Sequence, residues 1–293
     1  MSIEAERDDT TSAAARPAST GRRVLAIAAV LVMVQLVIRG IVAARSYFYW
    51  DDLRLLASSG DHSLLSLDFL LHDHDGHLMP GAFFLAGAAT DIAPLNWALP
   101  AITLIALQAI ASLCVLRLLW VILGPRPTIL IPLALYLFSP LTLPSFAWWA
   151  NGLNQLPLQA GIALATAEAI LLYRTGRNRH AVVGAVAFLV ALLFFEKSVV
   201  IPFVAFVAVA LLARTAGTRR PIRAAARKAA KLWIPSLVVL AGWAAVYLTR
   251  VNPPLSTDNL SSAPEMLHHG TSLGLIPALF GGPWSWDRWP PSP

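Results

Sequence analysis

The 293-residue chain is 57% hydrophobic and only 13% charged, with a mean hydropathy of +0.65. A water-soluble domain carries about a quarter charged residues, so this composition excludes an ordinary soluble enzyme and predicts a polytopic membrane protein. The net charge of +6 does not mark a nucleic-acid binder, because the cations gather in short loops between apolar segments, as the positive-inside bias requires. The one cysteine, Cys114, lies inside an apolar run, which excludes a disulfide framework and a cysteine-based metal site.

Residues 1–23 read as a disordered cytoplasmic tail, polar over most of their length and closed by Arg22 and Arg23. The apolar run 24–44 is about 21 residues, enough to span, and is expected to stay as an uncleaved first helix rather than leave as a signal peptide. Further spans are expected at 98–122, 128–145, 156–173, 181–195, 198–213 and 232–249. Two loops fix the orientation. One holds Arg174, Arg177 and Arg179, the other Arg214, Arg219, Arg220, Arg223, Arg227, Lys228 and Lys231. Both belong on the cytoplasmic side, which leaves 45–97, 146–155, 196–197 and everything after 249 outside.

The stretch 78–94 is apolar but short, and it carries Asp91 and Pro94. Were it to cross, the basic loops would end up outside, so it reads as a helix that lies in or dips into the outer leaflet. The expected fold is therefore all-α: a polytopic module of about seven transmembrane helices over 24–249, with interfacial helices in the outer loop 45–97. Residues 250–293 read as the start of an outer loop that breaks off at a cluster of Trp284, Trp286 and Trp289.

This threading sorts the chemistry. Of the 16 acidic residues, 11 fall outside, as do six of the seven histidines. Asp51 and Asp52 open the outer loop in "YFYWDDLRLL". Adjacent side chains point in different directions, so one carboxylate can act as a base while the other holds a metal; the plainer alternative is a helix N-terminus capped by one of them. "HDHDGH" at 72–77 offers His72, Asp73, His74, Asp75 and His77 as metal ligands, as substrate contacts, or as a polar turn closed by Gly76. In "DHSLLSLDFLLH", Leu64 to Leu71 read as an interfacial helix.

In "FAWWANGLNQ", Trp148 and Trp149 with Asn151, Asn154 and Gln155 suit stacking on a sugar or an aromatic belt. Glu196 and Lys197 sit between two spans with almost no loop, either neutralising each other or leaving Lys197 for a phosphate. Arg54, Arg250, His268 and His269 complete the outer set. The charges inside spans are few, among them Arg39 near an end and Glu168 close to the cytoplasmic side.

An N-in helix, a first outer loop opening on "YWDD", and "GHLMPGAFFL" leading into a membrane-dipping helix together resemble the GT-C superfamily of integral-membrane glycosyltransferases. The likeness is to its protein-mannosyltransferase-like members and rests on about 35 residues. It implies transfer of a sugar from a polyprenyl-phosphate donor to an envelope acceptor at the outer face of the plasma (inner) membrane. Asp51 or Asp52 would then be the general base or would hold a divalent cation, Mg2+ or Mn2+, and His74 or His77 with Arg54 or Lys197 would neutralise the lipid phosphate. Members of that family usually continue through further spans or a further domain, so the chain is expected to hold only the shared module. Two other classes stay open: a non-catalytic scaffold or flippase-like protein, and a metal-handling protein using His72, His74 and His77.

Overall fold

The structure is a computed structural model that describes residues 16–60, 62–251 and 262–276. Those residues are helical throughout the regular structure, and the single strand-like pairing among them is an isolated bridge between His74 and His77. Five segments are long and apolar enough to cross a membrane: Thr20–Ala44, Ala98–Leu123, Trp149–Thr175, Glu196–Thr215 and Ala230–Arg250. Two shorter apolar segments, Pro127–Thr142 and Asn178–Phe194, lie between them.

In chain order the helices are α1 (Arg16–Ala44), α2 (Asp51–Gly60), α3 (Leu67–Leu70), α4 (Pro80–Ile92) and α5 (Ala98–Leu123), then α6 (Leu130–Phe138), α7 (Leu143–Ala147) and α8 (Trp149–Thr175). They continue with α9 (Asn178–Phe194), α10 (Ile201–Thr215), α11 (Pro221–Lys228), α12 (Ala230–Arg250) and α13 (Ala263–His269). Short 3-10 turns flank α6 and precede α10. Proline at the first or second position of α4, α10 and α11 starts each of them without losing an intrahelical bond.

The centre is α8, packed against α5, α9 and α10. Lipid tails are as apolar as leucine, so close van der Waals approach must hold such helices together, and small residues permit it. Gly161 shows the tolerance: a Cβ there would lie 2.5 Å from the Cβ of Ala191 on α9. Ala163, Ala165, Ala167 and Ala169 are buried along the same helix. At the rim the sequence reverses its habit, and Leu25, Val30, Met33 and Val37 of α1 are exposed. Such a surface needs hydrocarbon as its solvent.

The connection between α1 and α5 folds as a helical cap on one end of the bundle. Its core joins Leu55 and Leu56 of α2, Phe69 of α3, and Phe83 and Ala86 of α4 to Leu104 of α5 and to Trp149 and Leu153 of α8. The Trp97 indole donates to the Ala43 carbonyl at 2.7 Å, tying the start of α5 to the end of α1. The opposite end carries the arginine-rich segment, where α11 buries Ala225 and leaves Arg223 and Arg227 exposed.

Three sequence expectations need correction. The helix expected across 64–71 is only the four residues of α3, the rest forming turns. The loop expected at 146–155 is mostly absorbed into α8, which starts at Trp149 and runs through Pro157. The tail expected over 1–23 is helical from Arg16, and its first part lies outside the described residues, as do Asp61 and the tryptophans at 284, 286 and 289.

Candidate functional site

The site begins with how α2 starts. Tyr49 and Trp50 turn the chain, Trp50 with φ of +47°, a left-handed conformation that is uncommon for a bulky residue. The Tyr49 N–H donates to Asp52 Oδ2 at 2.9 Å, the return half of a capping box with Tyr49 in the N-cap place. Asp52 Oδ1 accepts the Ala150 N–H at 2.7 Å, in the first turn of α8. One carboxylate thus closes the N-termini of two helices, each end favouring a negative charge. Asp52 is fully buried, and burial pushes its carboxyl up to about 6 even though the Ala150, Tyr49 and Trp149 amides pull it down; Asp51 adds a further upward push.

Asp51 faces the other way, with 22% of its side chain exposed. Its Oδ1 lies 3.8 Å from Arg54 Nη1 and 4.0 Å from His74 Nε2. These are ion-pair distances, too long for hydrogen bonds. Arg54 is held instead by Asp75, Nη1 to Oδ2 at 2.5 Å and Nη2 to Oδ1 at 3.4 Å. That hydrogen bond lowers the Asp75 carboxyl below the usual range and raises the guanidinium further.

The histidine cluster is a tight hairpin turn. His74 and His77 exchange backbone hydrogen bonds at 3.1 and 3.0 Å, and Asp75 and Gly76 between them have φ of +53° and +87°. Asp-Gly at the centre of a two-residue turn with both φ positive is the favoured chemistry for that geometry. Asp73 Oδ1 accepts the Gly76 N–H at 2.8 Å and holds the turn shut.

The turn sends its imidazoles apart. His72 lies edge-on to Phe83. His74 is 8% exposed, with Nε2 buried and without a hydrogen-bond partner, facing Asp51. Burial lowers its pKa, the pull of Asp51 notwithstanding, so the ring is neutral at pH 7 and keeps a free lone pair. His77 turns to Glu196, Nδ1 to Oε1 at 2.8 Å, and that bond raises its pKa. The Tyr247 hydroxyl donates to the Gly76 carbonyl at 2.9 Å. The turn is therefore clamped from both sides by the segments beyond α9 and at the end of α12.

Several expected site residues are placed differently. The metal pair Asp51 and Asp52 does not form, since both Asp52 oxygens are taken by backbone amides. One ligand atom each from Asp51, His74 and Asp75 lies within 4.8 Å of the others, and this is the compact donor set the loop does form. The His72, His74 and His77 trio does not converge. Trp149 is fully buried, its indole donating to Thr103 Oγ1 at 3.0 Å, and cannot stack on a sugar. Asn151 is half-buried in the first turn of α8. Glu196 and Lys197 do not neutralise each other: Glu196 takes His77, while Lys197 is exposed with Nζ 4.9 Å from the centre of the Phe195 ring.

The sequence reading missed the partners. Glu196 and Tyr247 are the clamps of the turn, and nothing local in either stretch announces it. Inside the bundle, Glu168 binds Arg117 of α5 through Oε1 and His180 Nδ1 of α9 through Oε2, the latter at 2.5 Å. A glutamate in an apolar span requires such a partner, so the need was legible though the identity was not. A groove of about 300 Å3 lined by Glu196, Val199, Leu240, Trp243 and Tyr247 opens beside the His77 pair. Larger grooves lie in the apolar body, between α5, α8 and α9 and between α1 and α6, and neither is lined by Asp51, His74 or Asp75.

Fold and site together define a helical membrane protein with a carboxylate–imidazole–guanidinium cluster on a helical cap at one end of its bundle. No family model matches the chain, and no curated protein or solved structure is detectably similar to it.

Proposed function

We propose that the chain is a glycosyltransferase of the GT-C kind, moving a sugar from a polyprenyl-phosphate donor to an acceptor at the outer face of the plasma membrane. In this reading the five long apolar segments and the shorter Pro127–Thr142 and Asn178–Phe194 give seven crossings, with α2, α3 and α4 lying at the outer interface and the N-terminus in the cytoplasm. The observation that carries it is the division of labour between the paired aspartates. Asp52 is consumed by the fold, whereas Asp51 is partly exposed and, among the described residues, held by no close hydrogen bond, with the Arg54 guanidinium and the His74 imidazole beside it.

A carboxylate so placed suits a base that takes the proton of an acceptor hydroxyl as the glycosidic bond forms, help worth roughly 100- to 10,000-fold in rate. Arg54 and exposed Lys197 are the cations available to the departing lipid phosphate, and such stabilisation contributes as much again or more. Neutral His74, with its unpartnered Nε2, completes a nitrogen-and-carboxylate donor set with Asp51 and Asp75 that fits a divalent cation, Mn2+ better than Mg2+. Such an ion would supply charge stabilisation to a phosphate.

The test is transfer of radiolabelled sugar from polyprenyl-phosphate donors to extracted envelope acceptors by membranes carrying the chain. Asp51→Asn is expected to abolish transfer at unchanged protein level. Undiminished transfer by that variant, or none by the wild type with any such donor, would overturn the proposal.

A further inference from the structure

The helices hold one cation that the cluster on the cap does not use. Ala28, Val32, Gln35, Arg39 and Ala43 are buried along one stripe of α1, and Arg39 is only 4% exposed. One guanidinium nitrogen, Nη2, donates to the hydroxyl of Thr142, and the guanidinium carbon lies 5.1 Å from the centre of the Phe146 ring. The other, Nη1, is buried without an acceptor. Among the described residues no carboxylate lies within 4.0 Å of Arg39.

An arginine cannot shed its proton to escape this, since its guanidinium stays charged in proteins. A hydroxyl and a ring face are neutral partners and leave the net charge in place. Gln35 Oε1, one turn away and itself without a donor, is neutral as well. A full charge held unpaired among apolar helices costs several kcal/mol. Glu168 shows how this chain meets the same cost elsewhere, with the Arg117 guanidinium on one oxygen and the His180 ring on the other. Arg39 is the exception, and the missing partner is an anion.

The surroundings say what kind. Thr142, which accepts the hydrogen bond from Nη2, also lines the groove between α1 and α6, a space of about 1070 Å3. Ser139 and Tyr136 form its polar part with Thr142, and Leu31, Leu130 and Leu135 line the remainder. Arg39 does not itself line the groove but lies directly behind Thr142, and a cation set behind the polar part of a long apolar trough fits a molecule with an anionic head and a hydrocarbon tail.

We propose that Arg39 anchors the phosphate of a lipid whose chain lies in the groove between α1 and α6. The phosphate oxygens accept from Nη1 and from the second Nη2 proton, the bidentate match that arginine makes best, while Thr142 keeps its bonds to Nη2 and to the Ser139 carbonyl. This site is separate from the Asp51 cluster and does not rest on sugar transfer. A polyprenyl monophosphate and an anionic glycerophospholipid share the required chemistry.

The experiment is native mass spectrometry of the full chain in detergent, after loading with synthetic polyprenyl monophosphate, phosphatidylglycerol or, as zwitterionic control, phosphatidylcholine. Wild type is expected to retain one phosphate lipid through collisional activation that strips phosphatidylcholine, and which of the two anionic lipids stays identifies the source. Arg39→Met should cut retention about 10- to 100-fold, the loss of a charge-assisted pair, while Arg39→Lys keeps part of it. Leu135→Trp, a change at an exposed position of the groove, should lower retention without altering the melting temperature, which keeps the test valid if Arg39→Met misfolds. Equal retention by wild type and Leu135→Trp, or no preference for a phosphate lipid over phosphatidylcholine, would overturn the assignment.

Discussion

Asp52 and Ala150 stand 98 residues apart, yet the Asp52 carboxylate accepts the Ala150 N–H at 2.7 Å while its second oxygen holds the Tyr49 N–H. The first residues of α2 and α8 are thereby locked together. Asp51, one residue earlier, is left free to face Arg54 and His74. The two adjacent carboxylates sit in different surroundings, one closed by backbone amides and one facing charged side chains.

Removing the lock has a predictable cost. Asp52→Ala strands two buried backbone donors, and hydrogen bonds to a charged group are worth about 1.5–3 kcal/mol each. A loss of about 3 kcal/mol or more is expected, read as a lower unfolding midpoint in detergent. Asp51→Asn, at a partly exposed site, should move stability by less than about 0.5 kcal/mol.

Stability should also depend on pH through Asp52. Its folded-state pKa of about 6 lies above the ordinary 3.8, so between those values the folded chain binds a proton that the unfolded chain releases. Stability then falls as pH rises across that window and levels off above it, by on the order of 3 kcal/mol. Unfolding midpoints measured from pH 4 to pH 7 should show this decline in the wild type, and a flatter profile in Asp52→Asn.

The His77–Glu196 clamp has a window at higher pH. The folded pKa of His77 lies above 6.5 because of Glu196. Its contribution is complete below 6.5 and is lost as pH climbs through the raised value. Hydrogen exchange of the 72–79 turn should quicken across that rise in the wild type. In Glu196→Gln the turn should exchange faster already at pH 6, with little further change.

The buried Glu168 group predicts a loss of its own. Glu168→Ala leaves the Arg117 guanidinium and the His180 ring without their acceptor; breaking a fully buried ion pair from one side costs about 3–5 kcal/mol, and here the cost is expected toward or below the low end because the Arg117 side chain is 46% exposed. Pairing it with Arg117→Met should recover part of that loss, because the stranded charge goes too. Unfolding midpoints of the single and double variants decide this.

Much of the helical layout was legible because apolar length and loop charge report it directly. The span read at 98–122 is α5 at Ala98–Leu123, and the one read at 232–249 is α12 at Ala230–Arg250. The boundary at 156 failed because the Trp148–Gln155 stretch reads as a polar outer loop and Pro157 as a first-turn proline, whereas Asp52 caps α8 at Trp149 from a distant loop. Asp51 could be named as a candidate from its sequence neighbours alone. Which aspartate would be consumed by the fold was not legible, nor was the meeting of His77 with Glu196 across 119 residues, since both depend on tertiary placement. Arg39 could be seen as an expensive charge in a span; its lack of an anion could be seen only once the neighbouring helices were in place.

The division of labour between the two aspartates is tested most directly by measuring sugar transfer and unfolding midpoint together for Asp51→Asn, Asp52→Ala and Asp52→Asn. Asp51→Asn should keep the wild-type midpoint and lose at least about 100-fold in transfer rate. Asp52→Ala should lower the midpoint, and its folded fraction should retain measurable transfer, as should Asp52→Asn. An Asp51→Asn variant that is stable and fully active would contradict the assignment of Asp51 as the reacting carboxylate.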